Sequence, residues 1–138
     1  MKLVFKYFLL MITGGIVYCL IELLWRGYSH WTMFILGGIC FISLGLINEV
    51  CCHEAPLLMQ MLIGCTIITS LEFITGCIVN IHLGWNVWDY SSFRFNIHGQ
   101  IALHSSVAWY FLSAVGIVLD DWLRKALFNE DIPRYKLL

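Results

Sequence analysis

Charge is what this sequence has least of. Only 12% of its 138 residues are Asp, Glu, Lys or Arg, about half of the ~25% usual in a soluble domain. A formal net charge of −1 leaves no basic face of the kind a nucleic-acid binder needs. With two prolines and no Gly/Ser-rich or charged low-complexity run, nothing serves as a linker, so residues 1–138 read as a single membrane domain. A G-x-x-x-x-G-K-[ST] phosphate loop is missing, which excludes ATP hydrolysis by that route. The CCHE run at 51–54 lacks the second spaced pair that makes a zinc site convincing. Cys19, Cys40, Cys65 and Cys77 lie in apolar runs, where a thiol behaves as a small hydrophobe. No Ser/His/Asp or Cys/His grouping is spaced tightly enough to suggest a nucleophile. Neither a metal nor a cofactor is expected, and catalysis is not the leading reading.

Apolar length is what the sequence has in abundance. Sixty per cent of it is hydrophobic, gathered into four runs at about 4–25, 31–50, 57–81 and 101–119. A helix needs ~20 residues to cross a ~30 Å hydrocarbon core, and each run supplies about that many. In lipid such runs must be helical, because an isolated strand leaves its backbone groups unpaired. The fold class expected is an all-α membrane protein, a four-helix transmembrane bundle. The first run is too long for a cleaved signal peptide and lacks an A-x-A site, so it is read as retained.

The cations set the expected orientation. Lys2, Lys6, Arg124, Lys125, Arg134 and Lys136 fall on one side of a four-span chain, and only Arg26 and Arg94 on the other. That bias predicts a multi-pass protein of the cell membrane with both termini cytoplasmic. Residues 84–99 then form an outer loop, and 120–138 an amphipathic cytoplasmic tail anchored by Trp122 and fraying toward its end.

Depth arithmetic brings the polar residues together. Glu22 lies ~27 Å along the first span and Glu72 ~22 Å along the third, both in the outer half. Glu22 and Arg26 are spaced for an i,i+4 ion pair, with Arg26 also in reach of Glu72 or a ligand. Glu72 belongs to a stripe of Cys65, Thr69, Gly76 and Asn80, small or polar at helical spacing, the pattern of a close helix contact. An ionisable group at this depth marks a function or a buried pair, and the sequence leaves open whether Glu72 is ionised or takes up a proton. Gly38, Ile42, Gly45 and Glu49 form a second stripe, with Glu49 read as reaching cytoplasmic water. Ala102, Ser105, Ser106, Trp109, Ser113 and Gly116 give the last span a polar, small-rich side.

In the loop WDYSSFRFN, Trp85, Trp88, Tyr90, Phe93 and Phe95 suit an interfacial belt. Asp89, Ser91, Asn96 and Gly99 are turn formers, so the loop is expected to fold, with Asn96 capping a helix from about Ile97. The candidate ligand site is therefore Glu22, Arg26, Glu72, Thr75, Trp88, Asp89, Tyr90, Ser91, Asn96 and His104, a polar pocket in the outer half of the bundle. His82, His98 and His104 with Glu72 are a weaker, metal-binding alternative. LIELLWRGYSHW at 20–31 faintly repeats LEFITG and WDYSSF, suggesting two related hairpins.

LEFITG, WDYSSFRFNIHGQIAL and SSVAWYF also resemble the signature of a small membrane-protein family labelled ABC-transporter type IV, which includes bacterial and small animal transmembrane proteins. The matching positions are Glu72, Phe73, Thr75, Gly76, Trp88, Asp89, Tyr90, Ser91, Gly99, Ile101, Leu103 and Trp109. The resemblance implies a permease component. Four spans are few for a solute path, so transport would require a homo-oligomer or a separate membrane or ATPase partner. Three readings follow: a permease-like or ligand-binding subunit, a structural or regulatory protein whose polar cluster only stabilises the fold, and an intramembrane lipid-modifying enzyme using Glu72 or His104 as acid/base.

Overall fold

The computed structural model describes residues 1–51 and 55–138. Among these lie four helices long and apolar enough to cross a membrane. They are α1 (Lys2–Arg26), α2 (Trp31–Leu46), α3 (Leu57–Gly76) and α4 (Leu103–Phe128). The ends of α2 and α3 widen into π-helical turns at Ile47–Cys51 and Cys77–His82. The 25 residues of α1 make a rod of ~37 Å at 1.5 Å per residue, longer than a ~30 Å hydrocarbon core. The CCHE residues Cys52, His53 and Glu54 lie outside the described residues, so the reading of that run has no structural counterpart.

Local chemistry sets most of the ends. Gly27 takes a left-handed φ of 78° and returns its N–H to the Leu23 carbonyl, stopping α1. Three residues later His30 caps α2, its Nδ1 accepting from the Thr32 N–H at 3.3 Å. Pro56, which has no N–H to leave unpaired, precedes α3. Asn129, left-handed at φ 55°, ends α4.

Consecutive helices pair, α1 on α2 and α3 on α4, and α2 touches all three others. Lipid offers no hydrophobic drive between helices, so close packing and polar contacts must hold them. The α1–α2 contact uses small residues: a Cβ on Gly37 would collide with Tyr18, and one on Gly14 with Phe41. The α3–α4 contact uses the polar stripe read from the sequence. Cys65 Sγ donates to the Ser106 carbonyl at 3.0 Å, and Thr69 Oγ1 lies 3.1 Å from Ser106 Oγ. The second stripe divides, because Gly38 abuts Met11 of α1 while Gly45 abuts Asp120 of α4.

Two expectations are corrected. Asn96 does not cap a helix: it opens a two-stranded hairpin, β1 (Asn96–Ile97) with β2 (Ile101–Ala102), and α4 starts at Leu103. The hairpin wins because His98 and Gly99 take left-handed φ values of 53° and 70°, which break a helix and suit a tight hairpin turn. Residues 120–128 are no separate interfacial helix but the continuation of α4, and the tail beyond folds back, with the Lys136 carbonyl accepting from Leu57 N–H at 2.6 Å. Glu49, read as reaching cytoplasmic water, is exposed and in addition holds the ion pairs described below.

Candidate functional site

Polar side chains gather at both ends of the bundle. At the end bearing the 84–99 loop, Glu72 is 1% exposed. Oε1 accepts from the Tyr90 hydroxyl and Oε2 from the Trp109 indole N–H, each at 3.1 Å. No cation pairs with it among the described residues. Arg26 instead forms its ion pair with Glu22 one turn back and donates to the Val87 carbonyl at 3.0 Å. That ties α1 to the loop, while Nη2 of Arg26 has no hydrogen-bond partner among the described residues. Burial first, and the adjacent Glu72 carboxylate second, raise the Tyr90 phenol above its ordinary value, so it remains a donor.

The loop is folded, as its turn formers suggest. Trp88 is buried and its indole N–H reaches the Gln100 carbonyl at 2.9 Å. Asn80 donates to Gln100 Oε1 at 2.8 Å and accepts from the Val87 N–H at 2.7 Å, so a buried amide pair fastens the loop to the end of α3. The exposed Asp89 accepts from the Ser91 N–H at 2.8 Å, and the Ser91 hydroxyl first and this N–H second lower its pKa. Asn96 Oδ1 accepts from the Gly99 N–H at 2.9 Å. Asp89, Ser91 and Asn96 thus hold the loop's own backbone. A side chain on Gly99 would meet Asp89 as well as the left-handed φ, so the turn requires glycine. Trp85, Phe93 and Phe95 remain exposed in the manner of a belt. Thr75 is half-buried on α3.

A cleft of about 280 Å³ opens between α1 and α4 beneath Tyr90. Glu22, Trp25, His104, Ser105 and Trp109 are among its walls. A deeper slot of about 70 Å³ shares Ile21, Trp109 and Leu112 with it and is otherwise apolar apart from Tyr18. Tyr18 and Trp109 stack there with ring centroids 5.3 Å apart. Of the ten candidate residues, Glu22, Tyr90 and His104 line the cleft, and Glu72 sits behind it holding Tyr90 and Trp109. His104 stacks on Phe93 at 4.0 Å between centroids.

The other end carries a network that sequence reading missed. Arg124 of α4 is 3% exposed, with Nε 2.6 Å from Asp120 Oδ2 and Nη1 paired to Glu49. Lys6 pairs with Glu130 and lies 3.6 Å from Glu49. Asn48 donates to Asp121 at 3.0 Å, and Tyr135 donates to the same carboxylate. The available signal was Asp120–Arg124 at i,i+4, which a reading of 120–138 as a surface tail concealed.

Four apolar helices, a loop folded against the bundle and ion pairs near the bundle ends define a multi-pass α-helical membrane protein. Within that class the chain belongs to the family described as "Putative ABC-transporter type IV", whose model matches residues 6–130. No curated protein and no solved structure matches it.

Proposed function

We propose that this protein is a permease-like membrane subunit that binds a small amphiphile in the α1–α4 cleft. The observation carrying the reading is the cleft's polarity gradient. Glu22 and His104 stand with Tyr90 at the loop end, and the shared walls lead into an almost wholly apolar slot. Such a shape takes a polar head and a short apolar tail, a few polar groups fixing orientation in an apolar pocket. Glu72 acts here as a positioning residue, since its two hydrogen bonds hold the cleft walls Tyr90 and Trp109. Family membership supports a transport-related role, and movement of a solute would need a second copy or a separate partner. The cation bias supports the cell membrane with both termini cytoplasmic.

Labelling with a photoreactive short-chain fatty acid in nanodiscs tests the reading. The expected result is saturable labelling of α1 and α4 beside Trp109, reduced at least tenfold by Ala108→Trp, which fills the cleft without touching Glu72. Labelling spread evenly over the lipid-facing surface and indifferent to Ala108→Trp would overturn it.

One observation favours the structural reading. Both Glu72 oxygens are already engaged, as a group that only locks the bundle would be. The lipid-modifying reading gains no such support, because Glu72 is engaged and His104 is stacked on Phe93.

A further inference from the structure

The side chains around the α1–α4 cleft favour one sign of charge. Among the described residues, no Lys or Arg lines it, and Glu22 is its one carboxylate. Arg26 engages Oε2 of Glu22 without joining the wall. Oε1 accepts from no described group and, unlike Oε2, is not sealed from solvent. Trp25, three residues on and so on the same side of α1, lines the cleft with Tyr90 and Trp109 of the facing wall. A carboxylate oxygen therefore opens into a space walled by aromatic rings.

Most of the donors in that wall are already spent. The Tyr90 hydroxyl and the Trp109 indole N–H both go to Glu72. The Ser105 hydroxyl goes to the Ala102 carbonyl at 2.9 Å. What Tyr90 and Trp109 leave to the cleft is ring carbon, and an aromatic face attracts a cation through its quadrupole. Only the ring N–H groups of Trp25 and His104 stay uncommitted among the side chains of the wall, and an anion reaching them would stand against Glu22. A cation meets the reverse, an acceptor oxygen and aromatic walls. We propose that the head of the amphiphile is an organic cation, an ammonium held between Glu22 and these rings, with its apolar tail toward the slot beside Tyr18. This rests on the reading of the cleft given above and adds the charge of its ligand. A fatty acid enters such a cleft as the neutral acid, since desolvation and a neighbouring carboxylate both oppose its ionisation.

The test photolabels the full chain in phosphatidylcholine nanodiscs with octyl probes that differ only in the head: a trimethylammonium, a neutral alcohol and a sulfonate. Labelling beside Trp109 is read relative to labelling of the lipid-facing surface, which cancels partition into the bilayer. The ammonium is expected to saturate the cleft at a concentration roughly tenfold below the sulfonate's or lower, with the alcohol between them. Trp25→Leu is expected to cut the ammonium's lead over the alcohol by about threefold, and Glu22→Gln by more. Trp25 is 80% exposed, so the fold does not depend on it. That variant decides alone if Glu22→Gln, which deprives Arg26 of its partner, does not fold. Equal labelling of the cleft by all the probes keeps an amphiphile there and overturns its charge. So does a lead for the sulfonate, or an ammonium lead that survives every variant that folds. No saturable labelling of the cleft by any probe overturns the cleft reading together with this one.

Discussion

Glu72 shows how much one residue discloses before its partners are known. Its position in an apolar run marked it as needing a partner, and the depth arithmetic suggested Arg26. The partners are instead neutral donors, Tyr90 and Trp109, which a search for an opposite charge passes over. Replacement by Ala strands a buried hydroxyl and a buried indole N–H, at about 1–3 kcal/mol each. Glu72→Gln keeps an acceptor for Trp109 and offers an N–H to the Tyr90 oxygen, so it costs roughly 1 kcal/mol or less. Unfolding midpoints in mild detergent are expected to fall clearly for Glu72→Ala and little for Glu72→Gln. Equal midpoints for Glu72→Ala and wild type would show that the carboxylate has no role in the fold.

At the scale of elements, the α3 stripe was legible because helical periodicity places Cys65, Thr69, Glu72, Gly76 and Asn80 on one face. Only the partner face remained unknown. The loop was harder: its turn formers showed that it folds, but not that Asn80 and Gln100 fasten it. Twenty residues separate that pair, and its register depends on the hairpin at 96–102. Asn80→Leu leaves the buried Val87 N–H without its acceptor, again about 1–3 kcal/mol, and frees the loop rather than the bundle. Limited proteolysis is expected to cut the variant within 84–99 while the helices stay intact. Cleavage no faster than in wild type would assign the loop's order to Trp88 and the hairpin.

Across the whole molecule, the two polar ends act differently. The loop end joins elements through hydrogen bonds from Arg26, Tyr90 and Trp109, whereas the opposite end joins α1, α2, α4 and the tail through a charge network around Arg124. Removing one partner of a buried pair leaves the other charge uncompensated, at about 3–5 kcal/mol. Arg124→Ala is therefore expected to lose most folded protein at the membrane, measured as monodisperse yield after extraction. Wild-type yield would mean that Asp120 is satisfied without the guanidinium. Orientation is tested separately, with enzymatic reporters fused at the C-terminus and inserted at Ser92. Cytoplasmic activity at the first site and none at the second is expected, and the reverse would show that the bias of six cations to two does not govern this chain.

The sequence by itself determined the class, the four spans and the α3 contact face, because apolar length and helical period are local properties that the lipid environment makes decisive. It also marked Glu72 as requiring a partner. Which groups would meet it, where α4 would end and which cations would meet Glu49 were left to the tertiary structure. Those outcomes depend on contacts between residues far apart in the chain, such as Lys6 with Glu130 and Glu49 with Arg124. Hydropathy reads an acid near a helix end the same way whether or not a buried guanidinium meets it, and only the packed bundle supplies that partner.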